Sequence, residues 1–249
     1  ARAPPASLPT TLHGSKFSKQ RYLDLLALLY EILNRVRREG LMSIEADVEE
    51  PANSPLFQKY PTLLADHHLI EFVTDYLRLM VSGNLNPLEL EALMDQEIDT
   101  HHHEALIPAG AIQRIADGLP AFGIVAAVMG VVNVMGSVGE PPAILGGKIG
   151  AALVGTFVGI LLAYGVVGPL ASVIEQKASE SGKQFECIKV ALLASLNGYA
   201  PALAVEFGRK VLFSTERPTF AELEDTVRGK SGPWPEPAHP TRNSQAAKR

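Results

Sequence analysis

The sequence predicts an all-α protein: an integral membrane helical hairpin with a helical domain built from its two long flanks. Three observations lead there. Residues 118–139 and 149–174 contain no Asp, Glu, Lys, Arg or His, and each run exceeds the ~20 apolar residues that cross the hydrocarbon layer as a helix. Mean hydropathy is slightly positive although 20% of the residues are charged, so a polar part is joined to an apolar part. No segment alternates apolar and polar residues with the period of a half-buried strand.

The elements follow in order. Residues 1–15 begin with Ala and lack the apolar region of a signal peptide, so they read as a truncated N-terminal loop. Residues 16–117 read as a helical domain. Its first helix, 16–39, places Tyr22, Leu26, Leu29, Leu33 and Val36 along one face and is closed by Gly40. An acidic piece, "SIEADVEEP", is followed by a helix from near Pro61 through "LLADHHLIEFVTDYLRLMV". Asn86, Pro87 and Glu89 then form a capping-box signal for a helix over "LELEALMDQEIDTHHHEA". A separate helix, "AGAIQRIADG", leads into the first span, 118–139. The connection 140–148, "EPPAILGGK", is too short for anything but a hairpin, and the second span is 149–174. Residues 175–229 are mainly helical. Within them, 190–205 is uncharged, but it is short and interrupted by Asn197, Gly198 and Pro201, so it reads as packed helix rather than a third span. The Pro-rich end, 230–249, reads as disordered.

A hairpin puts both flanks on one side. They hold Arg114, Lys177 and Lys183, whereas the connection has only Lys148. The positive-inside rule therefore makes the flanks cytoplasmic and the connection external.

Several function classes are excluded. A net charge of −5 gives no positive field for nucleic acid. A single cysteine, Cys187, cannot build a disulfide framework or a multi-cysteine metal site, and it reads as packed. Glu224 stands where a phosphate loop ending in "GKS" (229–231) needs glycine, and neither G-x-S-x-G nor H-E-x-x-H occurs. His101, His102 and His103, with Glu104 and Asp99, point in different directions on a helix, so they read as a polar face, as do His67 and His68. The expectation is no enzyme, no cofactor and no metal.

The spans themselves are unusual. Gly147, Ala151, Gly155, Gly159 and Ala163 recur every fourth residue, and the first span pairs Gly123 with Ala127 and Ala126 with Gly130. Such small faces let helices approach closely in lipid, although Gly and Ala are also simply common there. Pro169 removes the backbone bond to the Gly165 carbonyl, and Pro120 stands at the start of the first span. Each is either a static kink or a bend that couples membrane to flank. Thr156 has the ordinary option of bonding its own helix. With no Asp, Glu, His, Lys or Arg in either span, the chain alone offers no site for ion transfer. It carries no ion, or it walls a path whose acid another subunit supplies.

The segments "LPAFGIVAAVMGVV", "VGTFVGILLAYGVVGPLASV", "LLASLNGYAPALAVEFGRK" and "ERPTFAELE" resemble the MotA family, the larger stator subunits of the bacterial flagellar motor. So do "YLDLLALLYEILNRVRREGLMSIEADVEEP" and "VTDYLRLMVSGNLNPLELEALMDQEI", and the resemblance runs from about Phe17 to Gly229. It implies a subunit of the bacterial inner membrane that assembles as a homo-oligomer, five copies around two MotB chains, in contact with lipid. MotB would supply the intramembrane aspartate, and proton flow would drive torque on the rotor protein FliG. By position, Arg37 and Glu45 match the pair presented to FliG, with Arg35, Arg38, Glu49 and Glu50 as weaker candidates. Pro120 and Pro169 match the prolines tied to torque. Thr156 matches the threonine beside the MotB aspartate. Ala127 stands where sodium-driven relatives have a hydroxyl, which implies proton coupling. Family members have four spans, so this sequence is expected to lack the first two. Alternatives are an ExbB/TolQ-like energiser of envelope transport, which lacks the Arg37–Glu45 segment in this form, and a non-conducting membrane scaffold.

Overall fold

The computed structural model describes residues 17–83 and 86–228; the expected N-terminal loop, the expected disordered tail and the "GKS" segment lie outside the described residues. Helices are α1 (Lys19–Glu39), α2 (Glu45–Glu49), α3 (Pro61–Leu64), α4 (His67–Ser82), α5 (Pro87–Met135), α6 (Pro142–Leu162), α7 (Gly168–Leu196), α8 (Pro201–Val211) and α9 (Phe220–Arg228). A π turn, Ala163–Val167, joins α6 to α7. No strand occurs among the described residues, and the all-α class holds.

The described chain forms two compact units, one of residues 95–182 and the other of 17–83, 86–94 and 183–228. In the second unit α1 is the centre. Ser18 caps its start by accepting from the Arg21 N–H, and Gly40 (φ 87°) closes its end by donating to the Val36 carbonyl. The sequence suggests one apolar stripe on α1, but the helix is buried all round from Leu25 to Leu33, Glu31 included, while Val36 is half-buried. Helices α3, α8 and α9 and the 3-10 turn Leu41–Ile44 all pack on α1, and its middle, Leu25 to Leu33, has no wet face. Each Leu or Ile so enclosed contributes roughly 1.5–3 kcal/mol. Residues 190–196 continue α7; Gly198 (φ 84°) then turns the chain into α8, whose Ala202, Ala204 and Val205 are buried. The capping box is reciprocal: Asn86 Oδ1 accepts from the Glu89 N–H at 2.9 Å, and Glu89 Oε2 accepts from the Asn86 N–H at 3.2 Å.

The other unit is the hairpin. Two helical stretches, Pro87–Met135 and Pro142–Leu196, are long and apolar enough to cross a membrane. The structure differs from the expectation in two places. The two helices foreseen before the first span and the span itself are one helix, α5, of 49 residues, with Pro108 and Pro120 inside it. A proline deletes one backbone bond, and the helix formers on either side of "IPAGA" carry the helix through. The connection foreseen as 140–148 is helical from Pro142, because the second proline of "EPP" takes a first-turn position, where its missing N–H costs nothing.

Candidate functional site

The helix seam of the hairpin is built from residues without bulk. A Cβ placed on Gly123 would lie 2.8 Å from the Gly155 carbonyl oxygen and 3.2 Å from Thr156 Cα. On Gly159 it would lie 2.7 Å from the Leu119 oxygen, next to Pro120, and on Gly155 2.8 Å from Ala126 Cβ. On Gly130 it would press into Ala152. The backbones therefore touch at positions where only glycine fits, and dispersion between them holds the pair.

The register of the seam corrects the sequence-based ridge. Ala152, Gly159 and Ala163 are buried, with Gly155 and Thr156 half-buried between them, whereas Ala151 is exposed and nothing stands within 4 Å of a Cβ on Gly147. Steps of four residues drift around a helix by about 40° each, so the line through Gly147 and Ala151 leaves the interface. The path Ala152, Thr156, Gly159, Ala163 alternates steps of four and three and stays on it.

Thr156 does not take the ordinary option of a threonine in a helix. Its hydroxyl donates across the seam to the Gly123 carbonyl at 3.3 Å. Ala127, half-buried, brings its backbone N–H side toward Gly155, the residue before Thr156. Pro169 is preceded by the π turn, in which the Gly168 N–H donates to the Ala163 carbonyl five residues back. The wider turn takes up the disruption a proline brings.

In the other unit the charged segment sorts itself by partners. Arg35 is tied to Asp47 and Glu39, and Asp47 also accepts from the Ser54 hydroxyl at 2.6 Å. Glu49 pairs with Arg78, which also holds Asp75 and the Val48 carbonyl, and Glu50 accepts from Asn53. Arg37, Arg38 and Glu45 are exposed and form no ion pair among the described residues. Glu45 lines a shallow groove with Val48, Arg78 and Val81. Of the six charges flagged around Arg37 and Glu45, three are thus committed to the fold and three are available to a partner. Sequence spacing could not separate them, because the partners of Arg35 and Glu49 come from other elements.

Elsewhere, His103 Nδ1 sits 2.8 Å from the carbonyl of Asp99 in its own helix, and no group of three or more His, Cys, Asp or Glu among the described residues could hold a metal. Cys187 is buried against Gly208, and burial pushes its thiol up to about 12.

The model of the MotA/TolQ/ExbB proton channel family matches residues 65–187. The chain is 54% identical over 227 residues to Motility protein A of Escherichia coli, covering 91% of this chain and 77% of that protein. It is 37% identical over 225 residues to the chemotaxis protein LafT of Vibrio parahaemolyticus, covering 90% and 79%. In fold it is similar to the Campylobacter jejuni MotAB structure, at 19% identity and a TM-score of 0.63, over 78% of this chain and 68% of that one. The flagellar MotAB stator complex of Bacillus subtilis gives 24% identity and a TM-score of 0.58, over 73% of this chain and 64% of that one. Long matches to motility proteins, on a fold shared with stator structures, lead to one assignment: the chain belongs to the MotA/TolQ/ExbB proton channel family.

Proposed function

We propose that this chain is a flagellar motor stator subunit that couples proton flow across the bacterial inner membrane to torque on the rotor. The observation that carries the reading is the glycine seam: two membrane-length helices in backbone contact, with no Asp, Glu, His, Lys or Arg in residues 118–139 or 149–174. Such a pair is a wall, and a wall conducts only if a neighbour brings the titrating group. A MotB-like partner supplies that group as an intramembrane aspartate, and the fold shared with solved MotAB structures supports the pairing.

In this reading the regions 16–117 and 175–229 are cytoplasmic, the connection is periplasmic, and five copies surround two partner chains in lipid. Thr156 and Ala127 face the proton path. Ala127 has no hydroxyl to add to a sodium shell, and hard cations want several oxygens, so the coupled ion is the proton. Protonating the partner's aspartate removes its charge and changes which position beside the wall is favoured. Pro120, next to the Leu119 carbonyl that meets Gly159, and Pro169, behind the π turn, are the positions through which that change would reach the flanks. Arg37 and Glu45, exposed and unpaired, then present opposite charges to FliG.

The test is co-expression with a MotB-like subunit whose plug has been removed. Proton leak should require both chains and vanish when the partner's aspartate becomes asparagine. Leak from this chain alone, or none with any such partner, overturns the reading.

A further inference from the structure

The hairpin has a second polar feature, at the end opposite Pro120 and Pro169. An open cavity of about 320 Å³ lies along the seam, walled by Ala126, Gly130, Ala152 and Gly155, with Asn133 and Lys148 also on its lining. Among the described residues Lys148 is the one ionisable side chain on that lining. Its ammonium is held in place: it donates to the Ser137 hydroxyl at 2.6 Å and lies 3.2 Å from Glu140 Oε1. Ser137 is in the turn that ends α5 and Glu140 in the connection, so the contacts fix the lysine across the mouth of the hairpin. The inner end of the cavity, Gly155, adjoins Thr156.

We infer that Lys148 sets the rate at which cations enter the path beside Thr156, acting as a fixed positive charge at its outer mouth that Glu140 partly neutralises. This rests on the stator reading given above. The two side chains are about equally exposed, 37% for Lys148 and 42% for Glu140, but Lys148 lines the cavity and Glu140 does not, so the ammonium is the nearer charge to the cavity and its field there outweighs that of the carboxylate. The net potential in the cavity is positive, and the local concentration of any cation falls accordingly. Ser137 positions the ammonium without altering its charge.

The experiment measures partner-dependent proton flux with a pH dye in vesicles containing this chain and the plug-free MotB-like subunit, at low and high choline chloride. Lys148→Met should raise the flux roughly three- to ten-fold at low salt and flatten its rise with salt. Glu140→Gln, which leaves the lysine intact and unopposed, should lower it. Lys148→Arg and Ser137→Ala, which both keep the positive charge, should each stay well below the flux of Lys148→Met. If Ser137→Ala matches Lys148→Met, the contact is only a structural latch and the inference fails; it also fails if Glu140→Gln does not lower the flux, or if Lys148→Met leaves flux and salt dependence unchanged. These outcomes presuppose flux in the parent complex. A parent complex without flux sinks the stator reading instead, so the two failures are distinguishable.

Discussion

The Thr156 hydroxyl donates to the carbonyl of Gly123, 33 positions earlier in the chain and on the facing helix. The bond exists because Gly123 has no side chain: a Cβ there would stand 3.2 Å from Thr156 Cα and push the helices apart. Seam packing and the single hydroxyl are therefore one feature. Thr156→Ser should keep the bond and most swimming speed, whereas Thr156→Val, of like volume, should remove it and sharply reduce motility on soft agar. Equal motility of the two variants would show that the hydroxyl is irrelevant.

Glycine should be replaceable only off the seam. Gly159→Ala and Gly123→Ala each drive a methyl onto backbone oxygen, an overpacking that costs about 1–3 kcal/mol. Both should lower the melting temperature of the detergent-solubilised protein, while Gly147→Ala, with open space around it, should not.

Arg35 and Arg37 should fail in different ways. Arg35→Ala leaves Asp47, one-tenth exposed, without its cation, and should destabilise the helical unit by about 1–3 kcal/mol in urea unfolding. Arg37→Ala should leave unfolding unchanged yet impair motility. A charge reversal at Arg37 should be partly rescued by a reciprocal reversal on the rotor.

Acid should loosen the docking of α9 on α1. Glu222 accepts from Lys19 first, then from the Thr219 N–H and hydroxyl, and these bonds lower its carboxyl from 4.5 to about 2. A depressed folded-state value means a contribution fully present above pH 4.5 and lost as pH falls toward 2. Glu222→Gln should therefore narrow the difference in melting temperature between pH 5 and pH 3.

Cys187 should be inert. Burial both hides the sulfur and disfavours its thiolate, so a maleimide at pH 8 should label it only after unfolding. Labelling of the native protein at the unfolded rate would contradict the packing.

Much of this was legible in the residues. Charge-free runs predict the hairpin because lipid tolerates little else, and Asn86 with Glu89 marks a helix start that the structure closes on both sides. What the sequence hides are the consequences of three-dimensional register. The breaker signal of Pro108 is local, whereas helix continuity depends on the turns around it. A ridge at every fourth residue looks straight in a written sequence but winds off the interface, so Ala152, not Ala151, meets Gly130. Nor does the spacing of Arg35, Arg37 and Arg38 say which finds a partner, since Asp47 reaches Arg35 only through the turn after Gly40.

The five-residue turn at Ala163–Val167 has a geometric consequence of its own. It inserts one residue without advancing the spiral, so every side chain from Gly168 onward is swivelled by about 100° from where an uninterrupted helix would aim it. Excising a single residue from that turn would preserve composition and length almost entirely while re-aiming all of α7, from Gly168 to Leu196.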